Sequence, residues 1–119
     1  MAAKGRKCSQ IMRVAGCFGI FSISPTHAAP VDFVRDVRPI FEVRCYDCHS
    51  GDTRKSGFRL DVKAAAMKGG DRHGPDIKPG KPEESPLIHF LTTDNDDEIM
   101  PPKRGPLSGD EIATLTRWI

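Results

Sequence analysis

Cys45-Tyr46-Asp47-Cys48-His49 is the stretch on which the reading of this 119-residue chain turns. Cys-x-x-Cys-His is the attachment signature of a covalently held haem. Two thiols three residues apart, at the end of a helix, reach the two vinyl groups on one edge of a porphyrin. The histidine that follows is swung beneath the iron, where a neutral imidazole ligates it. Covalent attachment also keeps the ring in a domain too small to enclose it. The motif predicts one haem c, anchored by Cys45 and Cys48, with His49 as the proximal iron ligand.

The residues just before the motif are consistent with that geometry. Val37, Ile40, Phe41 and Cys45 recur at three- and four-residue spacing, which is one face of a helix, and Cys48 falls on the same face. Asp36 is the predicted cap of this helix. Pro39 is tolerated in its first turn, where an amide has no intrahelical partner.

Other uses of the two cysteines carry different signatures. A structural zinc site needs four ligands, and only His49, His73 and His89 are available to join the pair, at irregular spacing. A thioredoxin-like dithiol opens a helix after a strand, whereas these cysteines close a helical pattern with no βαβ unit around them. A plain disulfide across so short a loop is the remaining structural reading.

The N-terminus reads as a leader. Lys4, Arg6 and Lys7 form a basic start, Val14 through Ile23 is apolar, and Pro25-Thr26-His27-Ala28-Ala29 supplies the breaker and small residues of a cleavage site. That order is a secretory signal peptide, expected over residues 1–29 with a single domain over 30–119. The apolar run is shorter than the ~20 residues a bilayer span takes, and no later segment is predicted to cross a membrane. Val14-Ala15-Gly16-Cys17 also resembles a lipoprotein box, which would make Cys17 a lipidated N-terminus, but there the apolar run precedes the cysteine and here it follows.

The whole chain has a formal charge of +2. Removing residues 1–28 takes away Lys4, Arg6, Lys7 and Arg13 and no acidic residue, leaving 14 Lys+Arg against 16 Asp+Glu, a net of −2. No basic stripe remains to bind nucleic acid. Of four cysteines, Cys8 and Cys17 leave with the leader, so the domain keeps the motif pair alone. A domain this small, with few aromatics, generally needs a cofactor, metal or disulfide to complete its core.

Downstream, Ser50–Gly57 reads as a polar loop and Phe58-Arg59-Leu60 as a short extended piece. Asp61 is the predicted cap of a helix through Ala64 to Met67, ended by Gly69-Gly70. Gly, Pro and Asp exclude long regular structure from Asp71 to Pro82. Ser85-Pro86 opens a short helix through Leu87, Ile88 and Leu91. Residues Thr92 to Pro106 form a loop whose acidic cluster, Asp94, Asp96, Asp97 and Glu98, lacks the glycine and distal glutamate of a calcium loop and reads as a solvated segment. Ser108 and Glu111 make a capping box, with Leu107 and Ile112 at staple positions and Ile112, Leu115 and Ile119 as the buried stripe. The final helix stops on that stripe at Trp118-Ile119, so the domain is expected to be truncated at its C-terminal end.

The second axial position is less constrained. Met100, in Ile99-Met100-Pro101-Pro102, lies on a loop stiffened by prolines about fifty residues after the motif. A thioether opposite histidine raises the potential. Met67, His73 and His89 are rival ligands, and Met100 is alternatively a packing residue.

Asp36-Val37-Arg38-Pro39-Ile40-Phe41, Cys45 to His49, Arg59-Leu60-Asp61, Lys68-Gly69-Gly70, Lys78-Pro79-Gly80-Lys81-Pro82-Glu83-Glu84-Ser85, Met100-Pro101-Pro102 and Leu115-Thr116-Arg117-Trp118-Ile119 occur in this order. Together they resemble the planctomycete-type cytochrome c domain over residues 32–119. The resemblance implies that the methionine of the Met-Pro-Pro segment is the sixth ligand, which falls on Met100. It also implies a continuation past Trp118-Ile119, commonly into large further domains.

The expected fold is mostly α: a small class-I-like cytochrome c domain with short helices, packed terminal helices and long haem-wrapping loops. The expected function is one-electron transfer, Fe(III)/Fe(II), in the periplasm or cell envelope, with redox proteins as partners and no enzymatic step of its own. An electron-accepting accessory module of a periplasmic dehydrogenase or larger fused protein is the alternative, and a structural zinc module a second.

Overall fold

Asp32 opens the fold, its carboxylate accepting a hydrogen bond from the Arg35 amide at 2.8 Å while the Asp36 carboxylate accepts from the Asp32 amide at 2.9 Å. The computed structural model describes residues 28–119. The expected leader, with Cys8 and Cys17, lies outside the described residues except for its last two positions. The cap falls on Asp32 rather than Asp36, because a wide π-helical turn, Phe33–Val37, precedes helix α1, Arg38–Arg44. Asp36 is thereby inside the helical stretch, where the Arg35 guanidinium beside it holds its carboxyl down at about 2. Pro39 sits in the first turn of α1 as expected.

The helix breaks at Cys45, whose backbone leaves helical geometry at φ −121°, and resumes as α2, Tyr46–His49. His49 still donates its amide to the Cys45 carbonyl at 2.9 Å. The polar loop that follows folds back on the motif: His49 and Ser50 pair with Arg54 and Thr53, and Thr53–Arg54 is a two-residue strand, β1. Phe58 and Leu60 are buried, but their segment joins no strand. It is held instead by the Leu60 amide on the His49 carbonyl at 2.7 Å.

Helix α3, Lys63–Lys68, has Val62 at its cap position, not Asp61. Asp61 is taken by Arg59 at 2.6 Å and by the Gly51 amide at 3.1 Å, so it ties two loops together. Gly69 ends α3 with φ +83°. Residues 71–82 stay irregular apart from a 3-10 turn beginning at Pro82, Pro82–Glu84. Ser85 then precedes α4, Pro86–Thr92, without capping it. Its buried hydroxyl accepts from the Lys78 amide and donates to the Lys81 carbonyl, both at 2.9 Å, closing the Lys-Pro-Gly-Lys turn. Helix α5, Gly109–Trp118, begins with the expected capping box on Ser108 and Glu111.

About half of the described residues are thus helical, in five short α-helices and three other helical turns, with hardly any strand. None of these helices is long and apolar enough to cross a membrane. The ends of the fold meet: α5 packs on the Phe33–Val37 turn and on α4. Val37, Phe41 and Leu115 are essentially inaccessible at 0%, 1% and 0% exposure. Trp118 lies 5.7 Å from the Phe33 ring and 5.8 Å, edge-on, from the Phe41 ring. Burial of such side chains contributes roughly 1.5–3 kcal/mol each, which makes this the main apolar joint of a short chain.

A polar joint reinforces it. Arg44, the last residue of α1, forks onto Glu111 of α5 at 3.0 and 3.1 Å, and Glu111 also closes the capping box on the Ser108 amide at 2.8 Å. The Arg44 guanidinium, then the Ser108 amide, lowers the Glu111 pKa below its ordinary value. A carboxylate lowered in the folded state stabilises the fold above its unfolded pKa, and that contribution disappears as pH falls through the folded one. We expect Glu111→Gln to cost about 1–2 kcal/mol at neutral pH, read from urea midpoints. The difference from the parent protein should shrink as pH falls through the lowered Glu111 pKa, where the carboxyl becomes neutral like the amide; a pH-independent difference would contradict this role.

Candidate functional site

Where α1 breaks into α2, the chain presents Arg44, Cys45, Cys48 and His49 to one cavity of about 300 Å³. Phe58 and Leu60 enter it from the folded-back loop, Leu87, Phe90 and Leu91 from α4, and Met100, Pro101 and Pro102 from the loop beyond. The volume lies at the low end of ligand pockets, about 300–1,000 Å³. The motif, separated by some fifty residues from Met-Pro-Pro, is therefore brought to one place with it.

His49 is held in a defined tautomer. Its Nδ1 lies 3.2 Å from the Phe58 carbonyl oxygen. A carbonyl only accepts, so Nδ1 carries the proton and Nε2 keeps the lone pair that a metal requires. The Phe58 ring sits edge-on to the imidazole at 5.2 Å, which restricts its rotation. Phe58 was read from the sequence only as part of an extended piece. No local signal marks its carbonyl as the partner of His49, because the pairing depends on the loop folding back.

Both motif cysteines are free thiols, partly buried. Burial pushes the Cys45 thiol up to about 12. Redox dithiols work the other way, through a lowered pKa at a helix start, so this environment does not suit thioredoxin-like chemistry. Among the described residues no three His, Cys, Asp or Glu side chains converge to hold a metal ion.

The four candidates for a second axial ligand separate clearly. Met100 and His73 line the cavity. Met67 packs against the hydrophobic core, and His89 turns outward, 61% exposed and 3.5 Å from Glu98. Met100 is 37% exposed, so it sits at the cavity rim, with its amide donating to the Phe90 carbonyl at 2.8 Å. His73 lies against Phe90 at 5.2 Å between ring centroids.

Charge on the walls is mixed. Arg44 is matched by Glu111, while Arg72 has no carboxylate partner among the described residues. Asp97 and Glu98 bring part of the acidic loop to the rim. Asp76 is buried, and its carboxylate accepts from the Gly70 amide at 2.9 Å. Neither Asp76 nor Gly70 stood out in the sequence as a wall residue. Gly69 and Gly70 are needed as glycines for different reasons. A Cβ on Gly69, besides its positive φ, would fall 1.7 Å from the Gly74 oxygen; one on Gly70 would meet the Ser56 oxygen at 2.7 Å.

The donor set fits an iron porphyrin: two thiols, an imidazole with a free Nε2, a thioether at the rim, and apolar walls between them. The porphyrin supplies the four equatorial ligands, so a site without a metal cage of its own suffices. A helical domain carrying Cys-x-x-Cys-His on the wall of such a cavity is a cytochrome c. The family model described as planctomycete cytochrome c matches residues 45–104, and the chain belongs to that family. Membership implies haem c and haem-based electron transfer. No curated protein and no solved structure matches the chain.

Gly70→Ala should push the Ser56–Phe58 loop away from the cavity wall. The expected loss is about 1–3 kcal/mol, seen as a lower thermal midpoint, with a smaller yield of haem-loaded protein. An unchanged midpoint would show that the loop gives way freely.

Proposed function

We propose that this domain is a single-haem c-type cytochrome that carries one electron at a time in the periplasm or cell envelope. The observation that carries the reading is the convergence of Cys45, Cys48, His49 and Met100 on one apolar-walled cavity, with His49 Nδ1 committed to the Phe58 carbonyl. Cys45 and Cys48 anchor the ring through thioethers, His49 is the proximal ligand and Met100 the distal one. The bound haem supplies the Fe(III)/Fe(II) couple. Phe58, Leu60, Leu87, Phe90 and Leu91 exclude water around it, which keeps reorganisation small and the potential high. The segments from Ser50 to Gly57 and from Thr92 to Pro106 are its wrapping loops.

The domain by itself makes and breaks no substrate bond. Its partners are redox proteins, a donor and an acceptor. Residues 1–29 act as the export signal, which brings the thiols to the compartment where haem c is assembled. Within a longer protein or beside a periplasmic dehydrogenase, the same domain serves as the electron-accepting module.

Two experiments test this. On a denaturing gel, protein matured with the cytochrome c assembly machinery should keep its haem stain, and Cys45→Ala with Cys48→Ala should lose it. For the sixth ligand, a thioether on ferric iron gives a weak band at the red end of the spectrum. Met100→Ala should remove that band and lower the potential while the haem stays attached. Met67→Ala and His89→Ala should keep the band. If His73→Ala alone removes the sixth ligand, the iron is bis-histidine and Met100 is a packing residue.

A further inference from the structure

Arg104 makes two contacts that reach far back along the chain. Its Nη1 donates to the Val43 carbonyl at 2.8 Å, and its Nη2 pairs with the Asp47 carboxylate. Val43 lies in the last turn of α1, which breaks at Cys45, so its carbonyl is among those a helix end leaves without an internal partner. Asp47 is the residue between the two motif cysteines nearer to Cys48. One guanidinium thus satisfies a helix end and holds the attachment motif.

The other end of the same segment is also tied down. The Met100 amide donates to the Phe90 carbonyl of α4 at 2.8 Å. Between the two ties stand Pro101 and Pro102, which have no amide to donate, and exposed Lys103. Proline restricts φ, so the short run from Met100 to Arg104 has little freedom beyond what its two ends permit. The segment is a strap, fastened to α4 at Met100 and to α1 and α2 at Arg104, and both its prolines line the cavity.

We propose that Arg104 is a positioning residue for Met100, locking the strap to the haem-attachment motif and so holding the thioether at the cavity rim. The proposal rests on Met100 being the distal ligand. Arg104 and Asp47 are 48% and 65% exposed, and exposed pairs contribute little to global stability. The clamp therefore acts on where the strap lies rather than on whether the domain folds.

The test is competition for the iron in the matured ferric protein, using imidazole as the probe. Imidazole binds only when Met100 moves away, so its apparent affinity reports how firmly the strap is held. Arg104→Met should raise that affinity about fivefold, the size expected for losing a charge-assisted but exposed contact, and weaken the thioether–iron band. Haem stain and thermal midpoint should stay near those of the parent. Arg104→Lys should fall between the two, since an ammonium reaches one partner but does not fork to both. Salt screens exposed pairs, so about 1 M salt should raise imidazole affinity in the parent and leave Arg104→Met unchanged. The parent half of this salt test stands even if a variant fails to fold. Unchanged imidazole affinity in Arg104→Met, or no salt effect in a parent that shows the band, overturns the clamp. A parent without the band instead refutes the Met100 reading, and with it the basis for the clamp.

Discussion

Val37, Phe41 and Leu115 are the most deeply buried apolar side chains described, and they belong to the first and last helical segments of the domain. Trp118 covers the same joint from outside, edge-on to Phe41. Closing this joint sets the direction of α1, and α1 sets where Cys45 breaks the helix and where α2 carries Cys48 and His49. Arg44 and Glu111 repeat the constraint in polar form one turn further on, at the cavity wall. A short chain with little apolar surface has few ways to orient a ligand-bearing segment. This one uses its two ends.

Between α2 and α4 the chain runs through turns that are tied by hydrogen bonds rather than by a sheet. Asp61 binds Arg59 and the Gly51 amide, Ser85 closes the Lys78–Lys81 turn, and the Gly80 amide meets the Ile119 carbonyl at 2.6 Å. Among the described residues no buried side-chain polar atom lacks a partner. Polar satisfaction therefore does much of the shaping that a larger core does elsewhere. The cavity it leaves has apolar side chains from three segments and a histidine whose tautomer is already committed.

Local rules were enough to read the helix starts at Pro86 and Ser108 and the stop at Gly69, because caps and breakers act within one turn. They misplaced the first cap, since a π-helical turn before Arg38 moves the opening back to Asp32. They misplaced Asp61 too, whose carboxylate has a stronger partner in Arg59 than any helix amide offers. Spacing alone brought Cys45, Cys48 and His49 forward as candidates, and the three do line one cavity. Spacing did not separate the four candidate sixth ligands; of these, Met100 and His73 line the cavity. The Phe58 carbonyl, Asp76 and the Arg104 clamp had no local signature, because each depends on contacts between segments distant in the chain or on a turn that only the fold closes.

The most direct measurement of the central claim is the intact mass of the exported protein, made with the cytochrome c maturation machinery and measured under denaturing conditions. The expected mass is that of a chain beginning near Ala29 or Pro30, plus one haem and no more. A bare chain would contradict the account, as would one two hydrogens lighter, carrying a Cys45–Cys48 disulfide instead of thioethers.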